Sequence, residues 1–499
     1  MGTVPHSQQF ILSIDQGTTG TTVIIVDSRA RLLSRVTHEF KQNFPKPGWV
    51  EHNPDDIWDS VLKGISKALK DAKISASQIA GIGITNQRET TLLWDRKSGR
   101  AVYPAIVWQD RRTSPLCASL KKAGWEKLFH QKTGLFLDPY FSGTKIRWVL
   151  DHVPGVLTRA QKGEIAFGTI DSFLLWKLTG GKIHKTDATN ASRTLLMDIK
   201  TLSWDERLCS ILGVPIKILP EICPNAGVLG RTQKAPHIPD GIPISGMAGD
   251  QQAALFGQGG NSLGDVKCTF GTGSFILLQT GAIPVFSRSG NVTTLAFYWK
   301  GQASYALEGG AFICGAAVQW LRDGLQIIRS APEIEKLASS VSDNGGVQFV
   351  PAFAGLGAPY WKPEARGLLC GLTRGTEQGH IARAALEGIA LQNVDILRAM
   401  GKDFNRPIKI LRVDGGASAN DLLMQIQADY LGVRLERPKM IETTALGAAF
   451  MAGLGVGFWK NLKEIKKVWK KEKEFIPALS AEERKARIEA WHQAIRRAQ

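Results

Sequence analysis

At 499 residues, with 43% hydrophobic and 21% charged residues, the chain has the length for two or three domains and the make-up of a globular protein with sizeable cores. No run of about 18 apolar residues occurs, so no membrane span is expected, and residues 1–10 lack the basic start and apolar centre of a secretory leader. The formal net charge of +17 admits a nucleic-acid partner, but twelve basic against six acidic residues from Lys460 to Gln499 concentrate the excess in the tail; the balance suits small anions such as nucleotides, and no nucleic-acid partner is expected.

Strand signals come first, at 10–14, 22–27, 32–38 and 79–85. Between the first two, Asp15-Gln16-Gly17-Thr18-Thr19-Gly20-Thr21-Thr22 reads as a tight hairpin with a carboxylate at its mouth. Gly17 and Gly20 let backbone N–H groups approach a ligand closely, threonine hydroxyls suit phosphate oxygens, and Asp15 suits a hydrated magnesium ion. Taken alone, the segment fits a phosphate cradle and an ordinary surface hairpin equally. A helix follows the third strand. Asn53 is its N-cap, Pro54 its first residue, Asp55 and Asp56 complement its dipole, and Ile57, Val61, Ile65 and Leu69 line one face. Strands and a helix in this order predict an α/β layer fold.

Past a glycine cluster at Gly257–Gly264, strands at 266–270 and 274–279 flank Gly271-Thr272-Gly273, a second strand, Gly-Thr turn and strand. Two such hairpins predict a duplicated architecture with a ligand between the lobes. A helix over 380–400, a strand Ile408–Val413, a loop Asp414–Ala417 and a small-residue helix over 444–454 follow, and the Lys/Glu-rich stretch Lys460–Glu474 reads as a solvated helical face. The six cysteines, at 117, 209, 223, 268, 314 and 370, have no metal-binding spacing, which points to free thiols in a reducing cytoplasm.

Other nucleotide signatures are absent. Gly181-Lys182 and Gly401-Lys402 are followed by Ile183 and Asp403, so neither is a P-loop. Asn86-Gln87-Arg88-Glu89-Thr90 ends a strand with a charge pair, readable as a grip on hydroxyls or as a surface ion pair. Asp138–Lys145 reads as a polar-aromatic turn. Trp108 fits a wall against an aliphatic substrate or a core position. Asp250, opening a helix, fits a proton acceptor or a plain N-cap.

In combination the segments NQRETT (86–91), AIVWQDRRT (105–113), DPYFSGTK (138–145), TNASRTLL (189–196), GDQQAALFGQ (249–258), FVPAFAGLGAPYW (349–361), RVDGGASAN (412–420) and ETTALGAA (442–449) resemble the FGGY family of carbohydrate kinases, within the actin-like ATPase superfamily. The resemblance runs from Ile11 to about Trp459, and its NQRET, DPYFSGTK and GDQQAALFGQ pieces point to members that act on glycerol. It implies two RNase H-like domains, residues 1–258 with the glycerol site and first hairpin and 259–499 with the nucleotide site, around a cleft. It implies ATP-dependent phosphorylation of glycerol to sn-glycerol 3-phosphate, or of another small polyol or sugar, with ATP and Mg2+, in a cytoplasmic dimer or tetramer; a weakly catalytic sensor that kept the cleft is a third reading. Carried over residue by residue, Arg88, Glu89, Tyr140, Asp250 and Gln251 match glycerol-binding positions, and Trp108 and Phe275 match the apolar wall. Asp250 matches the general base and Asp15 the magnesium-associated carboxylate. Thr18, Thr19, Gly20, Thr22, Thr272, Gly315, Gln319, Gly416 and Asn420 fall on nucleotide-binding segments.

One departure stands out. Family members commonly continue the first hairpin as Gly-Thr-Thr-Ser-Ser-Arg, and here Gly20, Thr21 and Thr22 replace Ser-Ser-Arg. Loss of a charge-assisted phosphate contact costs about 1.5–3 kcal/mol, unless another lysine or arginine takes over.

Overall fold

Apolar, β-branched runs build the first sheet. In the computed structural model, which describes residues 9–499, Phe10–Gln16 (β1), Gly20–Val26 (β2) and Leu32–Glu39 (β3) form an antiparallel meander. The leader reading of residues 1–10 falls mostly on 1–8, outside the described residues. Helix α1, Pro54–Ala72, starts as its sequence dictates: the Asn53 side chain accepts from the Asp55 N–H, and Ile57, Val61, Ile65 and Leu69 are buried against the sheet. Ile79–Asn86 (β4) then pairs parallel with β1. The chain leaves the sheet for a helical layer that includes Ser142–His152 (α2), and returns as Ala226–Arg231 (β5) and Pro243–Gly249 (β6). The sheet order is β5-β6-β4-β1-β2-β3.

Asp250–Gly257 (α3) leads into the second sheet. Val266–Phe270 (β7), Ser274–Gly281 (β8), Val292–Trp299 (β9) and Gln302–Ala311 (β10) pair antiparallel with one another, β7 with β8, β8 with β10 and β10 with β9. Gly315–Asp323 (α4) and the long Gln378–Phe404 (α5) precede Ile410–Asp414 (β11); Asp421–Leu431 (α6) links it to Arg434–Pro438 (β12). With Lys471–Phe475 (β13), the order is β9-β10-β8-β7-β11-β12-β13. The series β3-β2-β1-β4-β6 thus recurs as β10-β8-β7-β11-β12, with the same pattern of antiparallel and parallel pairs. The duplication legible only in two Gly-Thr turns extends to five strands.

Helix α7, Thr443–Gly455, crosses back from the second half of the chain and covers β1, β4 and β6 of the first sheet. Its small residues serve this contact. A Cβ at Gly447 would lie 1.8 Å from the Ala253 carbonyl oxygen of α3, and one at Gly83 of β4 would lie 2.3 Å from the Ala448 carbonyl oxygen. Ala481–Ala498 (α8) seals the second core with Ile488, Trp491 and Ile495.

Two local expectations change. Residues 138–145 are not one turn: α2 begins at Ser142, and Lys145 is buried with its Nζ donating to the carbonyls of Pro139 (2.7 Å) and Tyr140 (2.6 Å). Lys460–Glu474 is helical only over Leu462–Val468; Lys471–Phe475 is the edge strand β13. There Arg437 pairs with Glu472 at 2.6 Å and Arg434 with Glu474 at 2.9 Å, so alternating charge meets charge across the strand pair.

The α3–α7 crossing predicts a contrast between two glycines. Gly447→Ala should cost about 1–3 kcal/mol by overpacking and lower the thermal midpoint. Gly401→Ala, in α5 with nothing within 4 Å of its added Cβ, should be neutral or gain up to about 1 kcal/mol. Thermal denaturation of both variants checks the pair.

Candidate active site

The two hairpins face the gap between the sheets. In the first, the Gly17 N–H bonds the Gly20 carbonyl at 2.9 Å, and Gln42 Nε2 and Gln87 Nε2 hold the carbonyls of Thr18 (2.6 Å) and Gly17 (3.2 Å). Trp108 Nε1 donates to Thr18 Oγ1 at 2.9 Å, tying the turn to the apolar wall. In the second, the Gly271 N–H bonds the Gly273 carbonyl at 2.9 Å, and the start of α4 is strung onto the turn by Cys314 N–H to the Thr272 carbonyl (2.8 Å) and Gly315 N–H to the Gly271 carbonyl (2.9 Å).

Between the hairpins lies a buried charge cluster. The Arg88 guanidinium forks onto Glu308, Nη1 to Oε2 at 2.6 Å and Nη2 to Oε1 at 2.8 Å, and also reaches Gln252 Oε1 (3.3 Å) and the Tyr140 hydroxyl (3.5 Å). Arg193 Nε bonds Glu89 Oε1 at 2.6 Å, and its Nη2 bonds Glu308 Oε1 at 3.1 Å. Arg88 and Glu89 are thus no surface pair: their own contact is a loose 4.0 Å, and each spends its charge on a partner far away in sequence. Burial opposes the Arg88 charge, but Glu308, Glu89, Tyr140 and Asp250 hold its pKa well above the usual arginine range. Burial likewise pushes the Glu308 carboxyl up, and Arg193 and Arg88 overcome it and hold it down at about 2. Glu89, where burial outweighs Arg88 and Arg193, is raised. Glu89 also sits at φ +60°, in the left-handed region that costs a non-glycine residue about 1–2 kcal/mol.

Asp250 differs from these neighbours. Its side chain is 29% exposed, against 2% for Arg88, 1% for Glu89 and 3% for Glu308. The N-cap of α3 is Gly249; Asp250 is the first helical residue, and its Oδ1 takes the Gln251 N–H (2.7 Å) and lies 2.9 Å from Arg88 Nε as a charge contact without hydrogen-bond alignment. Oδ2 has no partner among the described residues. Asp250 opens into a cavity of 160 Å³ lined by Thr18, Arg88, Glu89, Trp108, Tyr140, Gln251, Thr269, Phe275 and the second hairpin turn. The Trp108 ring stands edge-on to Tyr140 (5.7 Å between centroids) and Phe275 (6.0 Å), making one apolar wall.

Gly271 and Thr272 also border a second cavity, of 420 Å³. Gly315, Gln319, Gly416 and Asn420 line it with apolar Val318, Ile334, Leu386 and Leu423. The structure therefore brings the predicted substrate residues around one cavity and four of the predicted nucleotide residues around its neighbour, with Thr272 at the junction. Asp15, Thr19, Gly20 and Thr22 line neither. They belong to the first hairpin, where burial, Asp250 and Glu442 push the Asp15 carboxyl up to about 8 against the opposing Arg35. Sequence reasoning singled out neither Glu308 nor Arg193, and it passed over Gln252 and Lys267, whose Nζ bonds Thr269 Oγ1 at 2.8 Å and the Gln251 carboxamide oxygen. Arg193 and Gln252 stand inside quoted segments; Glu308 and Lys267 carry no local signal.

Two sheets of like topology, with Gly-Thr hairpins opposed across a cleft that holds one accessible carboxylate, define the class of two-lobed phosphoryl-transfer enzymes. The sequence model of the FGGY family of carbohydrate kinases matches in both parts, its N-terminal domain over residues 10–257 and its C-terminal domain over 266–456, and the chain belongs to this family. It is 59% identical over 489 residues to glycerol kinase of Bdellovibrio bacteriovorus, covering 98% of this chain and 99% of that one. Against glycerol kinase of Myxococcus xanthus the identity is 54% over 494 residues, with 98% and 99% covered. The structure superposes on Plasmodium falciparum glycerol kinase with ADP at a TM-score of 0.91, with 37% identity and 98% of both chains covered. A xylulose kinase from Lactobacillus acidophilus, at 23% identity and a TM-score of 0.87 over 98% of this chain and 97% of its own, shares the fold.

Glu308 supplies a pH prediction. Its folded-state pKa lies below the ordinary 4.5, so the stability it contributes is complete above about pH 4.5 and is lost as pH falls towards about 2. Glu308→Gln should remove that acid-side dependence and lower stability at pH 7 by about 3–5 kcal/mol, because two buried guanidinium groups lose a partner. Urea unfolding of both proteins between pH 3 and 7 measures it.

Proposed function

We propose that this chain transfers the γ-phosphoryl group of ATP to a terminal hydroxyl of glycerol, giving sn-glycerol 3-phosphate and ADP, with Asp250 as general base. The carrying observation is that Asp250 is the most exposed charged group of the buried cluster, 29% against 1–3% for Arg88, Glu89 and Glu308, and keeps Oδ2 unpartnered at the small cavity. The two glycerol kinases of bacteria that it matches over nearly their whole length support the same substrate.

Glycerol is small and neutral, so selection rests on hydrogen bonds to its hydroxyls. Glu89 Oε2, with no bonded partner among the described residues, accepts from one hydroxyl, while Tyr140, Gln251 and Arg88 flank the others; Trp108 and Phe275 cover the CH groups. As the terminal oxygen attacks the γ-phosphorus, the new O–P bond forms, the bond from the γ-phosphorus to the ADP oxygen breaks, and the hydroxyl proton passes to Asp250. Thr18, Thr19, Gly20 and Thr22 on one side and Thr272 on the other face the phosphates. The adenosine occupies the larger cavity, between Gly315 and Gln319 of α4 and the Gly416–Asn420 loop.

Asp15 fits a magnesium ion carried in with ATP: burial first, and then Asp250 and Glu442, hold its carboxyl up, and a cation relieves the repulsion. No cluster of three or more ligating side chains surrounds it among the described residues, which suits an ion held by one carboxylate, phosphates and water. Bound there, it neutralises phosphate charge. The same proposal divides the chain at 258/259, with α7 crossing over. It also includes a dimer or tetramer, measurable by sedimentation, and a cytoplasmic location, which suits six free cysteines. No helix among the described residues is long and apolar enough to cross a membrane.

A coupled ADP-release assay tests the reading. Turnover with glycerol should exceed that with other polyols, and no turnover with any of them despite measurable ATP binding would overturn it. Asp250→Asn should lower kcat by about 10²–10⁴-fold with ATP affinity changed only a few-fold; an unchanged rate removes Asp250 as base.

A further inference from the structure

The first hairpin carries threonine where the family pattern has arginine, yet the sheet brings a different arginine to the same face. β1 pairs Asp15 with Thr22, and β2 pairs Thr22 with Thr37 of β3. Directly paired residues of antiparallel strands share a face, and the Thr22 and Thr37 hydroxyls meet there at 2.9 Å. Arg35 stands two residues before Thr37 on β3, so it projects from that face as well, diagonal to Thr22 and within reach of a long side chain. The same face is the one that α7 covers: Ile24, the direct partner of Arg35, packs in the cluster formed with that helix.

The Arg35 side chain reaches the start of α7. Its Nε donates to Glu442 Oε1 at 2.8 Å, and Glu442 is the residue just before α7. The pair is open to solvent, with Arg35 46% and Glu442 26% exposed, and the two Nη groups of Arg35 have no partner among the described residues. A guanidinium with its fork free suits bidentate contact with phosphate oxygens, and phosphoryl transfer depends on such charge at the terminal phosphates.

We propose that Arg35 is the phosphate-facing cation of this chain, replacing the arginine missing at position 22, and that Glu442 holds it in place until ATP arrives. This rests on the phosphotransferase reading above. The position on β3 differs from the one on β2, but both deliver a positive charge to the face that carries Asp15.

Nucleotide titrations test the assignment without requiring turnover. Arg35→Ala should weaken ATP binding about 10- to 100-fold and leave adenosine binding within about twofold, since the lost contact is to phosphate. Adding Thr22→Arg to Arg35→Ala should recover most of the loss. Equal weakening of ATP and adenosine, or no recovery in the double variant, would overturn the proposal and leave Arg35 as a strut for Glu442. Arg35→Gln carries the same comparison should Arg35→Ala fold poorly. Absence of glycerol turnover in the wild type, with the ATP losses as expected, would reject the substrate and keep the contact.

Discussion

Two short helices cross backbone to backbone at the centre of this molecule. Helix α3 leaves the first sheet and lays Leu255 against Leu277, Ala296 and Ala306 of the second; α7 leaves the second half and covers the first sheet. Only glycine at 447 permits the approach to Ala253. The crossing fixes both helix starts, where the residues proposed for the chemistry stand: Asp250 opens α3, and Glu442 precedes α7. The end of α3 is tied to the start of α7, since Gln258 Nε2 and the Thr443 hydroxyl both donate to Asp414 Oδ2 at the end of β11. On the proposed mechanism, the carboxylate of Asp250 meets a nucleotide from one lobe and a hydroxyl from the other, and contacts to both place it.

Beneath the crossing, Arg88 of the first lobe and Glu308 of the second share a buried ion pair that Arg193 extends. Such a pair is weak support for stability as a whole, because removing two charges from water is expensive. Its value here is geometric. The fork spends most donors of Arg88 on protein, which fixes the plane of the guanidinium beside Asp250 and leaves Glu89 Oε2 free. Further bonds stitch the lobes along this floor, from the Tyr305 hydroxyl to the Ile199 carbonyl (2.8 Å) and between the Ser192 and Thr294 hydroxyls (3.0 Å).

What the sequence made legible was local. Asn53, Pro54 and the four-residue apolar spacing of α1 act within one helix, and Gly-Thr turns act within one hairpin, so both the α/β class and the duplication could be read from them. The grouping of Arg88, Glu89, Tyr140, Asp250 and Phe275 was legible through family resemblance rather than through spacing. Glu308 was not, because its meaning depends on Arg88, 220 residues away, and an isolated glutamate in a strand has no pattern of its own. The Lys/Glu stretch misled for a related reason. Charges that alternate at 471–474 satisfy a solvated helix and an edge strand equally, and only the cross-strand partners Arg434 and Arg437 decide between them.

That edge strand has a consequence for the behaviour of the protein in concentrated solution. A seven-stranded sheet ends in a row of unpaired backbone groups, which is a template for a strand from another molecule. Here the row is framed by Lys471, Glu472, Lys473 and Glu474, and the strand is only five residues long. A neighbour docking there would have to strip water from alternating ammonium and carboxylate groups, so the tail that contributes much of the chain's positive charge also guards its sheet against edge-to-edge aggregation.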